Sequence, residues 1–209
     1  KRWFNVALML CGLAISSAAQ EASVKADIER LTKEMYQFFS TDSVERFMGA
    51  TDSLKALCLM TGDETTFYKA WSNQANYIFT RVSREKGLAI AREERAYAEK
   101  HDSKYGLYTS SNSYASMLSG IGMIDEAEKA LFQAIDYQRR FFPSENSAFE
   151  YIGLAKIEHN RHHYEKTIEY AKKTLAEKDV KPIHLLHAYN YLCSGLGELA
   201  SAQPDNKGL

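Results

Sequence analysis

The histidines are the residues of this sequence whose type and spacing could bind a metal ion. His159, His162 and His163 lie close together in the segment HNRHHY. Two imidazoles four residues apart on one helix can share a metal, and this spacing relates His159 to His163. The segment, however, is predicted to be a turn between helices, where helical spacing does not hold. Apart from Glu158, no cysteine or carboxylate accompanies it in a tight pattern. We therefore predict exposed turn histidines and no metal site.

A second pair of histidines, His184 and His187, lies one helical turn apart shortly after Pro182. Protonation of such a pair could make an interface sensitive to pH. Nothing else in the surrounding sequence indicates a pH-sensitive interface. We interpret both residues as ordinary positions near the start of a helix.

Acidic pairs such as Glu93–Glu94 and Asp125–Glu126 could act as catalytic carboxylates. Both pairs fall within helical patterns, and we predict that they lie on helix surfaces or in a first turn, where acids are favoured. The sequence contains no G-x-S-x-G, Gly-rich phosphate loop or H-E-x-x-H pattern. We predict a protein that is not an enzyme, with no catalytic residue and no cofactor. A metal-dependent hydrolase that uses the histidines is the third-ranked alternative.

Composition favours an all-α protein that does not bind nucleic acid. Helix-forming residues dominate, only three prolines occur, and 45% of the 209 residues are hydrophobic. The net charge is −1, and the basic residues are interleaved with glutamates, as in SREKGLAIAREERAYAEK. Such runs are typical of solvated helix faces with ion pairs three or four residues apart. A phosphate-binding surface needs an unbalanced basic patch.

Residues 1–19 have the pattern of a secretory signal peptide. Lys1 and Arg2 precede a short apolar run, and small residues lead to a predicted cleavage site before Gln20. The run is too short to span a bilayer. We therefore expect an exported protein, periplasmic or otherwise extracytoplasmic. Because the chain lacks an initial Met and stops abruptly at DNKGL, we also expect a fragment of a longer protein, truncated at its C-terminus.

An internal repeat with a period of about 40 residues organises the remaining chain, residues 20–209. One column of the repeat holds only small residues, which allow two helices to approach closely. A second column, four residues earlier, is mostly aromatic. The small column is Ala75, Ala115, Ala155 and Gly195, and the other is Trp71, Ser111, Tyr151 and Tyr191.

Turn signals divide the chain into nine predicted helices, which make four and a half antiparallel pairs. Their expected ranges are 23–39, 43–60, 64–80, 84–100, 104–119, 124–138, 145–159, 163–177 and 182–199. No single pair can bury its apolar faces alone, so neighbouring pairs must stack. Cys58 and Cys193 then lie several repeats apart, beyond disulfide reach, and we expect two buried, unpaired thiols.

The small-residue and aromatic columns resemble those of the tetratricopeptide repeat family, although the period is longer than the roughly 34 residues typical of that family. The resemblance covers about residues 22–200 and implies a right-handed α-solenoid. It also implies a concave groove, lined by the first helix of each pair, that binds a protein or an extended peptide. The implied groove residues are Lys69, Ser72, Asn76, Phe79, Asn112, Ser116, Ser119, Ile152, Lys156 and His159.

Some members of that family bind the C-terminal carboxylate of a peptide with Lys, Asn and Arg side chains. Only Asn76 matches that arrangement, and Phe149 and Gly153 stand where further cations are expected. We predict that this carboxylate site is absent. The middle first helix contains the polar run TSSNSYASMLSG, for which a polar groove and a plain solvent face are both open interpretations.

Two functions compete for this pattern. The first is a non-catalytic scaffold that binds protein or peptide. The second is the sensory or dimerisation ectodomain of a membrane-bound two-component sensor or transcriptional regulator, whose output domain follows residue 209. A membrane tether outside the sequence and a homodimer belong to this second hypothesis.

Overall fold

The computed structural model describes residues 2–40 and 43–202, with side chains from residue 20 onward. All regular structure in these ranges is α-helical, and the helices pack in consecutive pairs. The helices are α1 (Arg2–Phe39), α2 (Val44–Thr61), α3 (Glu64–Arg81), α4 (Arg84–Lys100), α5 (Lys104–Gly120), α6 (Ile124–Phe141), α7 (Ala148–Asn160), α8 (Tyr164–Ala176) and α9 (Pro182–Ala202). The predicted all-α class is confirmed.

Eight of these nine described helices begin within three residues of their predicted starts, because the turn signals act as caps. The side chains of Asp63, Ser83 and Ser103 each accept a hydrogen bond from the first turn of the following helix. Gly62 and Gly122 adopt φ values of 74° and 85° at the ends of α2 and α5, a conformation that glycine reaches without steric cost.

Helix α1 is the exception, since it begins at Arg2 and not near residue 23. No glycine, proline or turn cluster separates the end of the apolar run from the segment that follows, so the helical pattern continues without a break. The side chains of residues 1–19 lie outside the described part of the chain, and the signal peptide stays a prediction. Within the described residues, no helix has both the length and the apolar character needed to cross a membrane.

The predicted small column lies at the closest contacts between helices. Ala75, Ala115 and Ala155 are fully or almost fully buried. A Cβ atom added at Gly195 would lie 2.9 Å from Ile168 Cγ1.

The first helices of the pairs are spaced less regularly than the predicted repeat, whereas the second helices α4, α6 and α8 begin 40 residues apart. The first helices of successive pairs do not start at equal intervals along the chain, since α3, α5, α7 and α9 begin at Glu64, Lys104, Ala148 and Pro182. The small column therefore keeps its contacts although the connecting turns differ in length.

Odd-numbered helices form one side of the array. In the described chain, successive odd-numbered helices from α1 to α9 contact one another, whereas the backbones of the even-numbered helices stay further apart and α4 meets α6 through the hydrogen bond from Arg95 Nη2 to Gln133 Oε1. Gly106 shows how close the odd helices approach, because a Cβ atom there would overlap the ring of Tyr68. The odd-numbered helices therefore form a continuous inner layer, against which the even-numbered helices pack.

The apolar face of α6 confirms the predicted packing of its alanines. Ala127 and Ala134 are fully buried, and Leu131 and Ile135 lie with them in the core. The small side chains of the two alanines allow α5 and α7 to pack against α6.

Cys58 and Cys193, the two cysteines whose side chains the structure describes, are unpaired, as predicted. Cys58 is buried between α2 and its neighbours, but Cys193 is exposed. The prediction of a buried thiol is therefore wrong for Cys193. Gly195 makes the contact of α9 with Ile168, and side chains two residues apart on a helix lie on different faces.

Candidate functional site

An open cavity of about 620 Å³ lies on the odd-numbered side of the array, and we call it the groove. Most of its lining comes from α3, α5 and the loop between α6 and α7, and residues of the connection between α8 and α9 line one end. The lining residues are Lys69, Ser72, Asn73, Asn76, Tyr105, Tyr108, Thr109, Asn112, Ser113, Ser116, Ser144, Glu145, Asn146, Phe149, Asp179, Lys181 and His184. The volume lies within the range of small-ligand and peptide sites.

A smaller cavity of about 140 Å³ adjoins the groove and shares Ser116 and Phe149 with it. Its walls are mostly apolar and come from α5, α6 and α7. Gly153 faces Leu131 here so closely that a Cβ atom added to the glycine would lie 2.8 Å from Leu131 Cδ1.

The predicted groove residues divide among these surfaces. Those that line the groove are Lys69, Ser72, Asn76, Asn112 and Ser116, and those that line the smaller cavity are Ser116, Ser119, Ile152 and Lys156. The other two line neither cavity. Phe79 packs against Gly87 and Gly120 at the far end of α3, and His159 lies against Tyr164 and Tyr191.

The polar run on α5 is not a plain solvent face. Ser110, Ser111 and Ser113 are buried, and their hydroxyls donate to backbone carbonyls of the same helix. Asn112 and Ser116 line the groove from the same helix. The interpretation as a polar groove is the one that agrees with this geometry.

Buried Gln138 holds the loop that forms one wall of the groove. Its Nε2 donates to the carbonyls of Phe142 and Glu145, and its Oε1 accepts from Ser147 Oγ at 2.7 Å. A buried amide whose partners are all satisfied fixes the backbone around it. The loop from α6 to α7 is therefore pinned where Glu145 and Asn146 meet the groove.

Asn146 connects that loop to the turn before α9. Its Nδ2 donates to the carbonyls of Lys178 and Asp179 at 3.0 and 3.3 Å. Asp179 itself has a left-handed φ of 52°. This contact brings Asp179 and Lys181 to the end of the groove.

Glu94 is a fully buried acid behind the groove, which corrects the prediction that the Glu93–Glu94 pair lies on a helix surface. Glu93 is exposed, but Glu94 has 0% of its surface accessible. Its Oε1 accepts from Ser72 Oγ at 2.7 Å, and its Oε2 has no hydrogen-bond partner. Burial raises the pKa of Glu94 to about 8, against the opposing contacts of Ser72, Ser113 and Lys55.

Glu150 is a second fully buried acid behind the groove, in the first turn of α7. Its Oε1 accepts from Asn112 Nδ2 at 2.7 Å, while Glu150 Oε2 and Asn112 Oδ1 have no partner. Burial raises the pKa of Glu150, and the hydrogen bond from Asn112 opposes that rise. The sequence carries one weak signal of this burial, because Glu94 shares a helical face with Ala91 and Ala98, and Glu150 shares one with Leu154, but it does not reveal the partners that hold the acids.

A third buried glutamate, Glu158, lies outside the groove and is paired. Its two oxygens lie 2.8 Å from Arg161 Nη1 and 2.9 Å from His163 Nδ1. Burial alone raises the pKa of Glu158, but the hydrogen bonds from His163 and Arg161 outweigh burial and lower it. Arg161 also pairs with Asp125 and Glu128 of α6, so this cluster joins α6 to α7.

The histidines point to different partners and do not converge. His162 has a left-handed φ of 61° in the predicted turn, and its ring bonds to Tyr164. His163 Nδ1 forms a hydrogen bond with Glu158 Oε2, while His159 Nε2 lies 3.4 Å from Ser194 Oγ. Among the described residues, no group of three or more His, Cys, Asp or Glu side chains is placed to hold a metal ion.

His184 alone of the histidines lines the groove. Its ring lies 6.1 Å from that of Phe149. Burial lowers the pKa of His184, and the charges of Lys181 and His187 lower it further. These surroundings therefore favour the neutral form of the His184 ring over the charged form.

A scan against protein-family models finds no match for this sequence, and a search of curated proteins finds none either.

Proposed function

We propose that this chain is a non-catalytic scaffold that binds an extended segment of a protein or peptide in the groove. The proposal takes the helix pairs as a right-handed, tetratricopeptide-like solenoid with a period of about 40 residues. It also takes the protein as exported, on the basis of the pattern in residues 1–19. The single observation that carries it is the groove itself, which runs across three first helices and combines amides with aromatic rings.

The chemistry of the groove suits a peptide backbone. Asn73 lines the groove, and its amide makes no hydrogen bond with the described residues, so it can both donate to and accept from a ligand. Tyr105, Tyr108 and Phe149 supply apolar surface nearby, and Phe149 is 43% exposed. A few directional polar groups on a partly apolar wall are what extended peptides need for orientation and affinity.

Selection from a random hexapeptide library tests the proposal. Peptides selected on the full chain are labelled and titrated against the wild type and the variants Asn73→Ala and Phe149→Ala. Each variant should weaken binding by about tenfold, because each removes one hydrogen-bonding or apolar contact.

Asn190→Ala is the matched control, because Asn190 is an exposed asparagine on α9 that does not line the groove. It should leave the affinity unchanged. If the selected peptides bind both groove variants as tightly as the wild type, the groove is not the binding site.

A further inference from the structure

Glu94 and Glu150 stand directly behind the floor of the groove. Neither side chain is accessible, and each is held by a residue that lines the groove: Ser72 for Glu94 and Asn112 for Glu150. Each keeps one buried oxygen that accepts no hydrogen bond of standard geometry. An unpartnered buried polar atom costs stability, and its presence in a folded protein calls for an explanation.

Glu158 shows that this chain can neutralise a buried acid when the acid serves structure alone. It is as deeply buried as the other two, but Arg161, His163 and Lys166 all lie within 4 Å of it. In the described part of the chain, neither Glu94 nor Glu150 forms an ion pair with a Lys, Arg or His. The two uncompensated acids are therefore the two at the groove.

The rim of the groove does not supply the missing positive charge. Lys69 and Lys181 lie there, but so do Glu145 and Asp179, and all four residues are exposed. Exposed charges are screened by water and salt, and here their sum is zero. The buried acids Glu94 and Glu150, which are shielded from water, therefore determine the sign of the ligand charge that the groove favours.

The groups packed around Glu94 and Glu150 do not remove the preference of the groove for a positively charged ligand. Lys55 of α2, Tyr68 of α3 and Ser113 of α5 interact with Glu94, and Lys55 Nζ is already engaged by Gln74 and Asp52. Glu150 faces Tyr108 and Asn112 of α5, and Glu145 of the preceding loop. A protonated acid in this setting can ionise once a cation comes near, because attraction between charges is strong where water is excluded.

From this arrangement we infer that the groove selects ligands with a positively charged nitrogen group, a primary ammonium or a guanidinium, which is seated over Ser72 and Asn112 and neutralised by Glu94 and Glu150. The inference deepens the proposed peptide-binding function and rests on it. A lysine or arginine side chain, or a free amino terminus, is the part of a peptide that fits. Each acid that ionises releases one proton to the solvent, and the ligand's charge replaces the lost proton.

Calorimetric titration of the full chain with three blocked pentapeptides tests the inference. The probes are acetyl-Gly-Tyr-X-Tyr-Gly-amide with arginine, citrulline or aspartate at X. Citrulline has the shape of arginine but no charge. We expect the arginine peptide to bind at least tenfold more tightly than the citrulline peptide, and the aspartate peptide to bind most weakly. Titrations at pH 7 in phosphate and in Tris should differ in heat, because protons are released.

The variants Glu94→Gln and Glu150→Gln keep the shape and the acceptor oxygen but cannot ionise. The double variant should bind the arginine and citrulline peptides equally, with no release of protons. Glu158→Gln is the matched control, a buried glutamate outside the groove, and it should retain the preference for arginine. Thermal unfolding of each variant establishes that it is folded.

The outcomes separate this inference from the proposed function. A preference for arginine that survives in the double variant overturns the inference. So does equal binding of the three probes, or binding of none of them. If library-selected peptides still lose affinity in Asn73→Ala under those results, peptide binding in the groove stands and the preference for a cation falls.

Discussion

The hydroxyl of Ser72 on α3 donates a hydrogen bond of 2.7 Å to the buried carboxyl of Glu94 on α4. This contact ties a residue of the groove to an acid that sees no water. The buried carboxyl of Glu94 can ionise only if a positively charged partner reaches it or if α3 and α4 separate. Its ionisation is therefore coupled to the packing of these two helices.

The stability of the protein should depend on the protonation of Glu94. The pKa of Glu94 is raised in the folded state from 4.5 to about 8, so the folded chain keeps a proton that the unfolded chain loses between these values. Its contribution to stability is complete below about pH 4.5 and declines up to about pH 8. The slope is that of a single proton, on the order of 1 kcal/mol per pH unit. Denaturant unfolding at a series of pH values should show a flatter profile for Glu94→Gln.

Glu93→Gln is the control for that measurement, because its side chain is the exposed neighbour on the same helix. Its pH profile should match that of the wild type. If wild type and Glu94→Gln keep the same slope between pH 5 and 8, Glu94 is already ionised in the folded protein.

Close contact between α3 and α5 should make Gly106 intolerant of a side chain. A Cβ atom there would overlap the Tyr68 ring, so Gly106→Ala must displace a buried aromatic residue. We expect a loss of about 1–3 kcal/mol in the free energy of unfolding. Gly197→Ala has open space around it and should gain up to about 1 kcal/mol from helix propensity. Equal stabilities for the two variants would mean that α3 and α5 do not approach so closely.

Larger side chains in the small column should lower the stability of the protein. Ala155 is fully buried, and we expect Ala155→Leu to cost about 1–3 kcal/mol because the added atoms have no space. Ala89→Leu, at an exposed position of α4, should change stability by less than about 0.5 kcal/mol. Thermal or urea unfolding compares the two. An unchanged stability in Ala155→Leu contradicts the close packing of α7.

The Glu158 cluster should behave as one unit. Arg161→Leu leaves Glu158 with weaker partners, and we expect a loss of about 2–3 kcal/mol. The double variant Glu158→Leu and Arg161→Leu should recover at least half of that loss. The reason is that Ile78 and Leu118 occupy the positions equivalent to Glu158 in the two preceding repeats, so an apolar residue suits this place.

A double-mutant cycle measures the coupling between Glu158 and Arg161. The control is Arg140→Leu, which breaks an exposed pair with Asp136 and should cost less than about 1 kcal/mol. A double variant that is less stable than Arg161→Leu alone would show that the cluster is not the source of the loss.

The repeating pattern of small residues and caps made the helices and their packing predictable from sequence. Asp63, Ser83 and Ser103 mark helix starts through local hydrogen bonds. Burial of the small column follows from the steric requirement of close helices. The helix caps depend on residues that are close in the sequence, and the small column depends on a regular spacing. Both can therefore be recognised in a single sequence.

The floor of the groove was not predictable in the same way. Glutamate is rarely buried, and whether Glu94 is buried depends on Ser72 and Ser113, which come from two other helices. The wall made by Asn146 and Asp179 likewise depends on a contact between distant parts of the chain. These contacts come from tertiary packing between elements far apart in the chain, which a repeat period does not specify.

The asymmetry between the two sides of the array has a mechanical consequence. From pair to pair, the odd-numbered helices contact one another and each even-numbered helix packs against the odd-numbered helix that follows it, whereas the backbones of the even-numbered helices stay further apart. A small change in the angle between neighbouring pairs then alters the width of the groove, while each pair stays intact. Bending stiffness, and with it the length of segment that the groove accommodates, therefore depends both on the contacts among odd-numbered helices and on the packing of each even-numbered helix against the next pair.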